Sequence, residues 1–552
     1  MTHTVNTAEQ PPPRVPDSAT DAADRGSRLI APVVLVAAVV VANAGSFTYP
    51  FLFDGLHLEQ QIRPLALGQP SGWLRLRPRL FGYLSFDVQY TLHGPWLPGF
   101  HALNVAIHAA AACTLFAIVR ETLARACPAW PARSRSLVAL CSAALWGLHP
   151  LQTHAVTYLY QRFESLMGLL FLGAIWCLLR ATRRTARPGL WLAASFACFM
   201  ASLATKEVAV MAPLVLVLFD RAYVADSWRE IVERRKGYYA VVFGTLAAGL
   251  AYVAANWSHY VAGGLLVVRR VSVWQYLRTQ PEIVGHYLWQ AVWPDRLSID
   301  PAWPVQDEPL RLGFAWLVVA AAAAGTARLW RADKRLGFLV LAFALILVPT
   351  STIAPVIDLA FEHRLYLSLA PVAVAVTLAV MAFARRAAAA CGGDETAARR
   401  SMACLLAPVA VALAAATVAR SRVHESPLAL WGDTVQKCPH NTRAWANLGT
   451  ALEEAGDPRA ALCYEEIISL YHGAAGRGAH PLADVARRTP RTIEYVWYGF
   501  ARLATLAADA GDLATARRLY AELERLPCLP SGGLDRAEIR SLRERLTVGK
   551  AG

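Results

Sequence analysis

Charge is scarce in this chain. Asp, Glu, Lys and Arg supply only 17% of its 552 residues, where a soluble protein carries about 25%. That shortfall excludes a soluble globular enzyme as a description of the whole. The signatures of soluble-nucleotide chemistry are missing too: no P-loop, no GxGxxG after a strand, no HExxH and no serine-hydrolase elbow stands in a fitting context. The ten cysteines make no framework. Cys113, Cys141, Cys177, Cys198 and Cys404 lie in apolar runs, where they act as small apolar residues, and Cys127 and Cys391 fall in basic loops. Cys438, Cys463 and Cys528 are an odd set without CxxC or zinc-spaced His, so a disulfide there stays open. No metal-ligand set stands out and no cofactor is indicated.

Apolar residues are plentiful, at 56% with positive mean hydropathy. Runs at about 29–47, 99–119, 136–148, 158–179, 189–205, 207–220, 238–256, 313–330, 336–354, 366–384 and 402–419 predict roughly eleven membrane spans. The third, fifth and sixth are short enough to be tilted, broken or re-entrant. The net charge of +14 does not point to nucleic acid, because the arginines gather in alternate loops. Arg120 to Arg135, Arg180 to Arg187, Arg229 to Lys236, Arg328 to Arg335 and Arg385 to Arg400 give the positive-inside pattern and put those loops, with the N-terminus, in the cytoplasm. Arg63, Arg75, Arg77 and Arg79 run against it, either binding phosphate or lying at the headgroups. Residues 1–28 are polar and predicted to be a disordered cytoplasmic tail. Ala42-Asn43-Ala44 resembles a signal-peptidase site, but the apolar run is long and starts late, which favours an uncleaved anchor.

Five short polar clusters interrupt the apolar chain in the opposite loops: Asp54 with Glu59, His149 to Glu164, Lys206–Glu207, Asp295 to Asp300, and Asp358 to Tyr366. Ionisable groups at membrane depth are costly and mark protected functional cavities, so five on one side make one candidate active site. Asp54, among aromatic neighbours, is a candidate general base because partial burial raises basicity; the plainer reading is a helix start at an interface. From Pro150, suited to a first helical turn, residues His154, Tyr158, Gln161, Arg162 and Ser165 predict one polar stripe on one helix. It is either the wall of a wet cavity or a polar seam. Lys206 offers a point cation to phosphate and Glu207 a carboxylate to orient it, unless the two form a local pair at a hairpin tip. Arg364 has the planar fork for phosphate oxygens and Tyr366 adds a donor, against an interfacial Arg/Tyr belt. The 295–300 segment reads as a shaped lid. An enzyme on the outer face lacks sugar nucleotides and ATP, so its donor comes through or within the bilayer.

After Arg420 the composition turns charged and helical. Trp445, Leu448, Gly449, Gly456 and Ala461 match the tetratricopeptide pattern, as do Leu503, Gly511, Ala516, Tyr520 and Pro527. Trp431 to Pro439 reads as half a repeat, 470–490 as an interruption and 534–546 as a capping helix. The expected organisation is a tail (1–28), a transmembrane domain (29–420) and an extracytoplasmic helical-repeat domain (421–552), the last in a periplasm if the source is bacterial.

Together, Phe53-Asp54, the His149-Pro150 to Glu164 run, Ala204-Thr205-Lys206-Glu207, Glu362-His363-Arg364-Leu365-Tyr366 and the repeats from Trp431 resemble the multi-spanning O-mannosyltransferases that carry tetratricopeptide repeats, in the GT-C class of glycosyltransferases. The resemblance implies an all-α polytopic protein with a C-terminal α-solenoid. It implies transfer of a sugar, typically mannose, from a polyprenyl or dolichyl phosphate to a hydroxyl acceptor, with inversion. Asp54 would deprotonate a Ser or Thr, with Glu59 as a second acid. Arg364, with Lys206 and Arg162, would stabilise the departing lipid phosphate. Glu207, Glu362, His363 and Tyr366 would complete substrate binding, and His149, His154, Gln161 and Glu164 would line the cavity. The repeats would hold an acceptor protein or glycan. Two departures stand out: Gly55 follows Asp54 where the family shows adjacent acids, and His154 replaces its usual Glu. An oligosaccharide ligase with a lipid-diphosphate donor, and a non-catalytic membrane scaffold, are the competing readings.

Overall fold

The computed structural model describes residues 18–56, 79–183, 186–256, 271–351, 358–475, 492–526 and 536–548, and every regular element among them is a helix. First come α1 (Ser18–Asn43), α2 (Leu80–His93), α3 (Leu97–Ala126) and α4 (Ala132–Gly147). They are followed by α5 (Arg162–Ala181), α6 (Pro188–Leu203), α7 (Ala212–Tyr223), α8 (Trp228–Ala255) and α9 (Val273–Val292). The bundle closes with α10 (Pro309–Ala332), α11 (Lys334–Leu347), α12 (Leu365–Ala390) and α13 (Glu395–Arg422). Helix starts follow local chemistry. Proline opens α3, α6, α7 and α10, where its missing N–H costs nothing. Ser272 and Gln275 form a capping box on α9. Helix α1 begins at Ser18, inside the tail expected to be disordered, because a helix nucleated by an apolar span extends at little further cost.

Seven helical segments are long and apolar enough to cross a membrane: Leu29–Thr48, Leu97–Ala126, Leu159–Ala181, Trp228–Ala255, Pro309–Ala332, Glu362–Ala390 and Glu395–Arg422. By length and composition this is a membrane protein. The other four expected spans fall on α4, α6, α7 and α11, which have 16, 16, 12 and 14 residues, below the roughly 20 a crossing needs. Three of the four break at or beside a polar cluster: α4 stops before His149-Pro150, α6 stops before Lys206, and α7 starts after the 3-10 turn Glu207–Met211. Helix α10 buries none of its residues, and Leu310, Phe314 and Leu317 are exposed along it, as suits a helix surrounded by acyl chains.

Among apolar tails, close packing and hydrogen bonds hold helices together more than water exclusion does. Helix α6 lies against α5 with Ser195 Oγ donating to Ala174 O (2.7 Å) and Ser202 Oγ to Met167 O (3.1 Å). In the middle of the bundle Trp146 is fully buried and donates Nε1–H to Tyr366 O (2.7 Å). The arginine-rich loops meet at one end: Arg335 reaches Ala126 O (2.9 Å), Arg183 pairs with Glu121, and Ser134 and Arg385 both bond Glu395.

After α13 come shorter helices, α14 (Pro427–Lys437), α15 (Thr442–Glu454), α16 (Ala460–Ala475), α17 (Thr492–Asp509), α18 (Leu513–Arg525) and α19 (Arg536–Val548). Those from α15 on share an apolar core that includes Tyr464, Ile467, Phe500 and Leu519. Leu430, Trp431, Val435 and Ala444, from α14 and α15, instead pack against Leu52, Tyr158 and Ile299 of the membrane unit. Of the repeat signals, Pro527 and most of 470–490 lie outside the described residues.

Candidate functional site

The five polar clusters are joined by direct contacts at the end of the bundle opposite the arginine-rich loops. Phe53 takes a left-handed backbone (φ 51°), which turns the chain sharply after the first span. Its ring meets Trp431 edge-on at 5.3 Å and stacks on Tyr158 at 6.5 Å. The next residue, Asp54, is half-buried; its N–H donates to Tyr158 Oη (3.0 Å) and its carboxylate bonds the same hydroxyl. Tyr160 hydrogen-bonds Tyr83 and lies within electrostatic reach of both Asp54 and Arg79. Glu59 lies outside the described residues.

The segment expected to carry one polar stripe is not one helix. A 3-10 turn (Pro150–Gln152), a single α turn (Thr153–Val156) and a second 3-10 turn (Leu159–Gln161) precede α5, so the predicted stripe divides. Gln161 and Glu164 turn to Lys206, whose Nζ donates to Gln161 Oε1 (3.1 Å) and pairs with Glu164. All three are buried. Burial lowers the Lys206 pKa from its ordinary value against the pull of Glu164. The local pair of Lys206 with its neighbour Glu207, the plainer alternative from the sequence, does not form. Glu207 is gripped by Arg79, at 3.0 Å from Nε and 3.2 Å from Nη2. Arg79, which the sequence offered either as a phosphate binder or as a headgroup residue, is thus held at the cluster by Glu207; its sequence signal was a charge on the wrong side of the membrane pattern.

Arg162 does not join this group. It is fully buried, with donors to Asn104 Oδ1 (2.5 Å), Ser85 O (3.4 Å) and Phe100 O (3.0 Å) and with Phe86 stacked 3.8 Å from its guanidinium. Those contacts tie α2 and α3 to α5 and leave it no reach to a phosphate. Arg364 is likewise engaged with backbone: Leu359 O (2.7 Å), Asp358 O (2.6 Å) and Thr350 O (3.3 Å). Its fork closes a loop instead of presenting itself to a ligand. Tyr366 is buried and its hydroxyl meets His108 Nδ1 (3.0 Å), which makes it a packing residue. His149 caps its own turn by accepting from Leu151 N–H (3.3 Å).

His154 and His363 cross edge-to-face at 4.8 Å, with Phe361 stacked on His363 at 5.1 Å. Burial, then the charges of His424, Arg420 and Lys206, lower the His154 pKa well below the ordinary value, so it is a neutral buried imidazole. Glu362 accepts from Ser298 N–H and stands 3.8 Å from Arg420. From there a chain of charge runs outward: Arg420 to Asp433 (2.9 Å), Asp433 to Lys437 (2.7 Å), and Lys437 to Leu297 O (2.7 Å). Asp300 is not at a lid edge but is buried and clasped. It takes Arg443 in a two-pronged pair (2.7 and 2.8 Å) and Asn441 at 2.8 Å, while Arg443 also reaches Asp358 (2.7 Å). Among the described residues, no group of three or more His, Cys, Asp or Glu side chains is arranged to hold a metal ion.

In comparisons with known protein families, curated proteins and solved structures, nothing matches this chain. Its chemistry therefore stands on its own geometry. On the apolar side of the cluster a cleft of about 100 Å³ runs between α3, α5, α7, α11 and α12, lined by Leu115, Phe171, Val215, Phe338, Ile346 and Leu367 among others. Phe171 is seven residues along α5 from Glu164 and Leu367 adjoins Tyr366, so the cleft begins about two helical turns from the Lys206 pair. A half-buried carboxylate, two cations and an apolar slot about two helical turns away can serve proton abstraction beside a lipid-borne anion.

Proposed function

We propose that this chain is a multi-spanning membrane glycosyltransferase similar to the O-mannosyltransferases that carry tetratricopeptide repeats. It moves a sugar from a polyprenyl- or dolichyl-phosphate carrier to an acceptor hydroxyl, a Ser or Thr of a protein, at the extracytoplasmic face. The observation that carries this reading is the contact of Asp54, through Tyr158 and Tyr160, with Arg79, which in turn lies within electrostatic reach of Lys206, about two helical turns from an apolar cleft. Asp54 takes the acceptor proton as the hydroxyl oxygen attacks the sugar's anomeric carbon from the face opposite the leaving group. The bond from that carbon to the phosphate oxygen breaks with inversion, and the lipid phosphate departs toward the cations, which stabilise its growing charge. The carrier's isoprenoid tail occupies the cleft. On this reading the four short helices join the seven long ones in a GT-C-like unit, the N-terminus is cytoplasmic, and α14–α19 form an extracytoplasmic repeat array that holds the acceptor. Nucleic acid has no part in it.

The test is Asp54→Asn in the purified protein held in nanodiscs, supplied with polyprenyl-phospho-mannose and a Ser/Thr-rich peptide. Transfer is expected to fall at least about a hundredfold with protein abundance unchanged; turnover at the native rate would remove Asp54 as the base. A scaffold reading draws on one observation, that Arg162 and Arg364 are both engaged with protein groups. It predicts that Asp54→Asn leaves cellular function intact while changes on α14 and α15 do not.

A further inference from the structure

A second cleft opens beside Glu362. Its walls are α9, the loop 293–308, the turn Ala360–Glu362 and the end of α14 with His440, and its volume is about 300 Å³, at the lower end of the roughly 300–1,000 Å³ of small-molecule sites. On one wall the rings of His286 and Trp303 lie 4.7 Å apart at 45°. Several of the charges around it are already matched. Glu282 takes Gln306 Nε2 (2.7 Å) and Arg311 (2.6 Å), and Lys437 is held by Asp433 and Leu297 O. Three polar atoms of the lining are not matched: Trp303 Nε1, Gln290 Oε1 and Glu362 Oε2 are buried without a hydrogen-bond partner. Gln290 and Glu362 are only 2% and 3% exposed, and the Arg420 guanidinium, 3.8 Å from Glu362 Oε2, is too far to bond it. Buried polar groups are normally paired, and unpaired ones that converge on a cavity call for an explanation.

We propose that this cleft binds a saccharide ring, with Trp303 and His286 stacking on its C–H face and Trp303 Nε1, Gln290 Oε1 and Glu362 Oε2 taking its hydroxyls. A hydroxyl both donates and accepts, so neighbouring hydroxyls on one ring satisfy one donor and two acceptors together. The aromatic pair suits the apolar face that a pyranose turns opposite its hydroxyls. The lining carries both signs of charge, Glu282 and Glu362 against Arg296, Arg311 and Lys437, so charge alone singles out neither an anion nor a cation. A polypeptide would pair its backbone, and this lining offers side-chain groups beside a ring platform instead. The cleft shares Glu362 with the clusters described above, but Asp54 is not among the residues that line it, and the proposal does not rest on the transfer reading, since a scaffold would hold the same ring.

The experiment uses the full-length protein in nanodiscs, titrated with methyl α-D-mannopyranoside, methyl β-D-glucopyranoside and mannotriose and followed by saturation-transfer NMR and tryptophan fluorescence. Saturable binding of at least one of them is expected. Trp303→Phe keeps an aromatic face and removes the N–H, and is expected to weaken binding about tenfold. Gln290→Ala does the same by a different loss, so the result survives if one variant folds poorly. Asp54→Asn, which tests transfer, leaves this binding unchanged. Absence of saturable binding by all three glycosides, equal affinity in both cleft variants, or displacement of the fluorescence signal by a Ser/Thr-rich peptide alone would overturn the assignment.

Discussion

Lys206 shows how a charge is kept inside a largely apolar bundle. An ammonium without a partner there is expensive, and Glu164 with Gln161 supplies the compensation. Removing one partner of such a buried pair costs about 3–5 kcal/mol, whereas replacing both with apolar groups is often neutral. Glu164→Gln is therefore expected to lower the thermal unfolding midpoint in nanodiscs, and Glu164→Leu with Lys206→Met to recover most of the loss; a double variant no better than the single one would show that the two charges are uncoupled. Lys206, Glu164 and Gln161 were all legible in the sequence as polar residues on one side. Their pairing was not. Lys206 has extended backbone (φ −156°, ψ 144°), in which successive side chains point to opposite faces, so Lys206 and Glu207 diverge to partners 42 and 128 residues away in the chain. Arg162 and Arg364 teach a similar lesson: a guanidinium fork that fits phosphate fits backbone carbonyls equally well, and residue type does not choose between them.

At the level of elements, helical spans could be read from apolar runs because length and hydropathy are additive along the chain. Breaks inside them could not. The periodic stripe from His154 to Ser165 obeys helical spacing in the sequence, yet the chain there is the end of one α turn, a separate 3-10 turn and the start of α5. Among the shorter helices the close contact of α15 with α16 was signalled by Gly449. A β-carbon at that position would lie 2.7 Å from Cε1 of the fully buried Tyr464. Gly449→Ala is expected to destabilise this region by about 1–3 kcal/mol through overpacking, seen as faster amide exchange in α15 and α16. Adding Tyr464→Leu relieves the clash, and exchange that stays fast in the double variant would rule out this cause.

At the scale of the whole molecule, the two parts are joined by a polar seam. Arg443 and Asp300 are both buried, with Asn441 and Asp358 completing the network. Arg443→Ala leaves Asp300 without its cation and is expected to loosen the attachment of α14 and α15 by about 3–5 kcal/mol. Limited proteolysis should then cut near Val423 to Ser426 faster than in the native protein. Arg459→Ala, which breaks an exposed pair with Asp457, serves as the control and should cut like the native protein.

The seam also bears on how the molecule can be dissected. A chain terminated after Arg422 would carry off the guanidinium that neutralises Asp300 and the side chains that shield Leu52 and Ile299. Its membrane portion would acquire a stranded anion and a wetted greasy patch within reach of Phe53 and Asp54. Inactivity of such a fragment would measure self-inflicted injury as much as a missing partner, and single substitutions along the junction are the means of telling these apart.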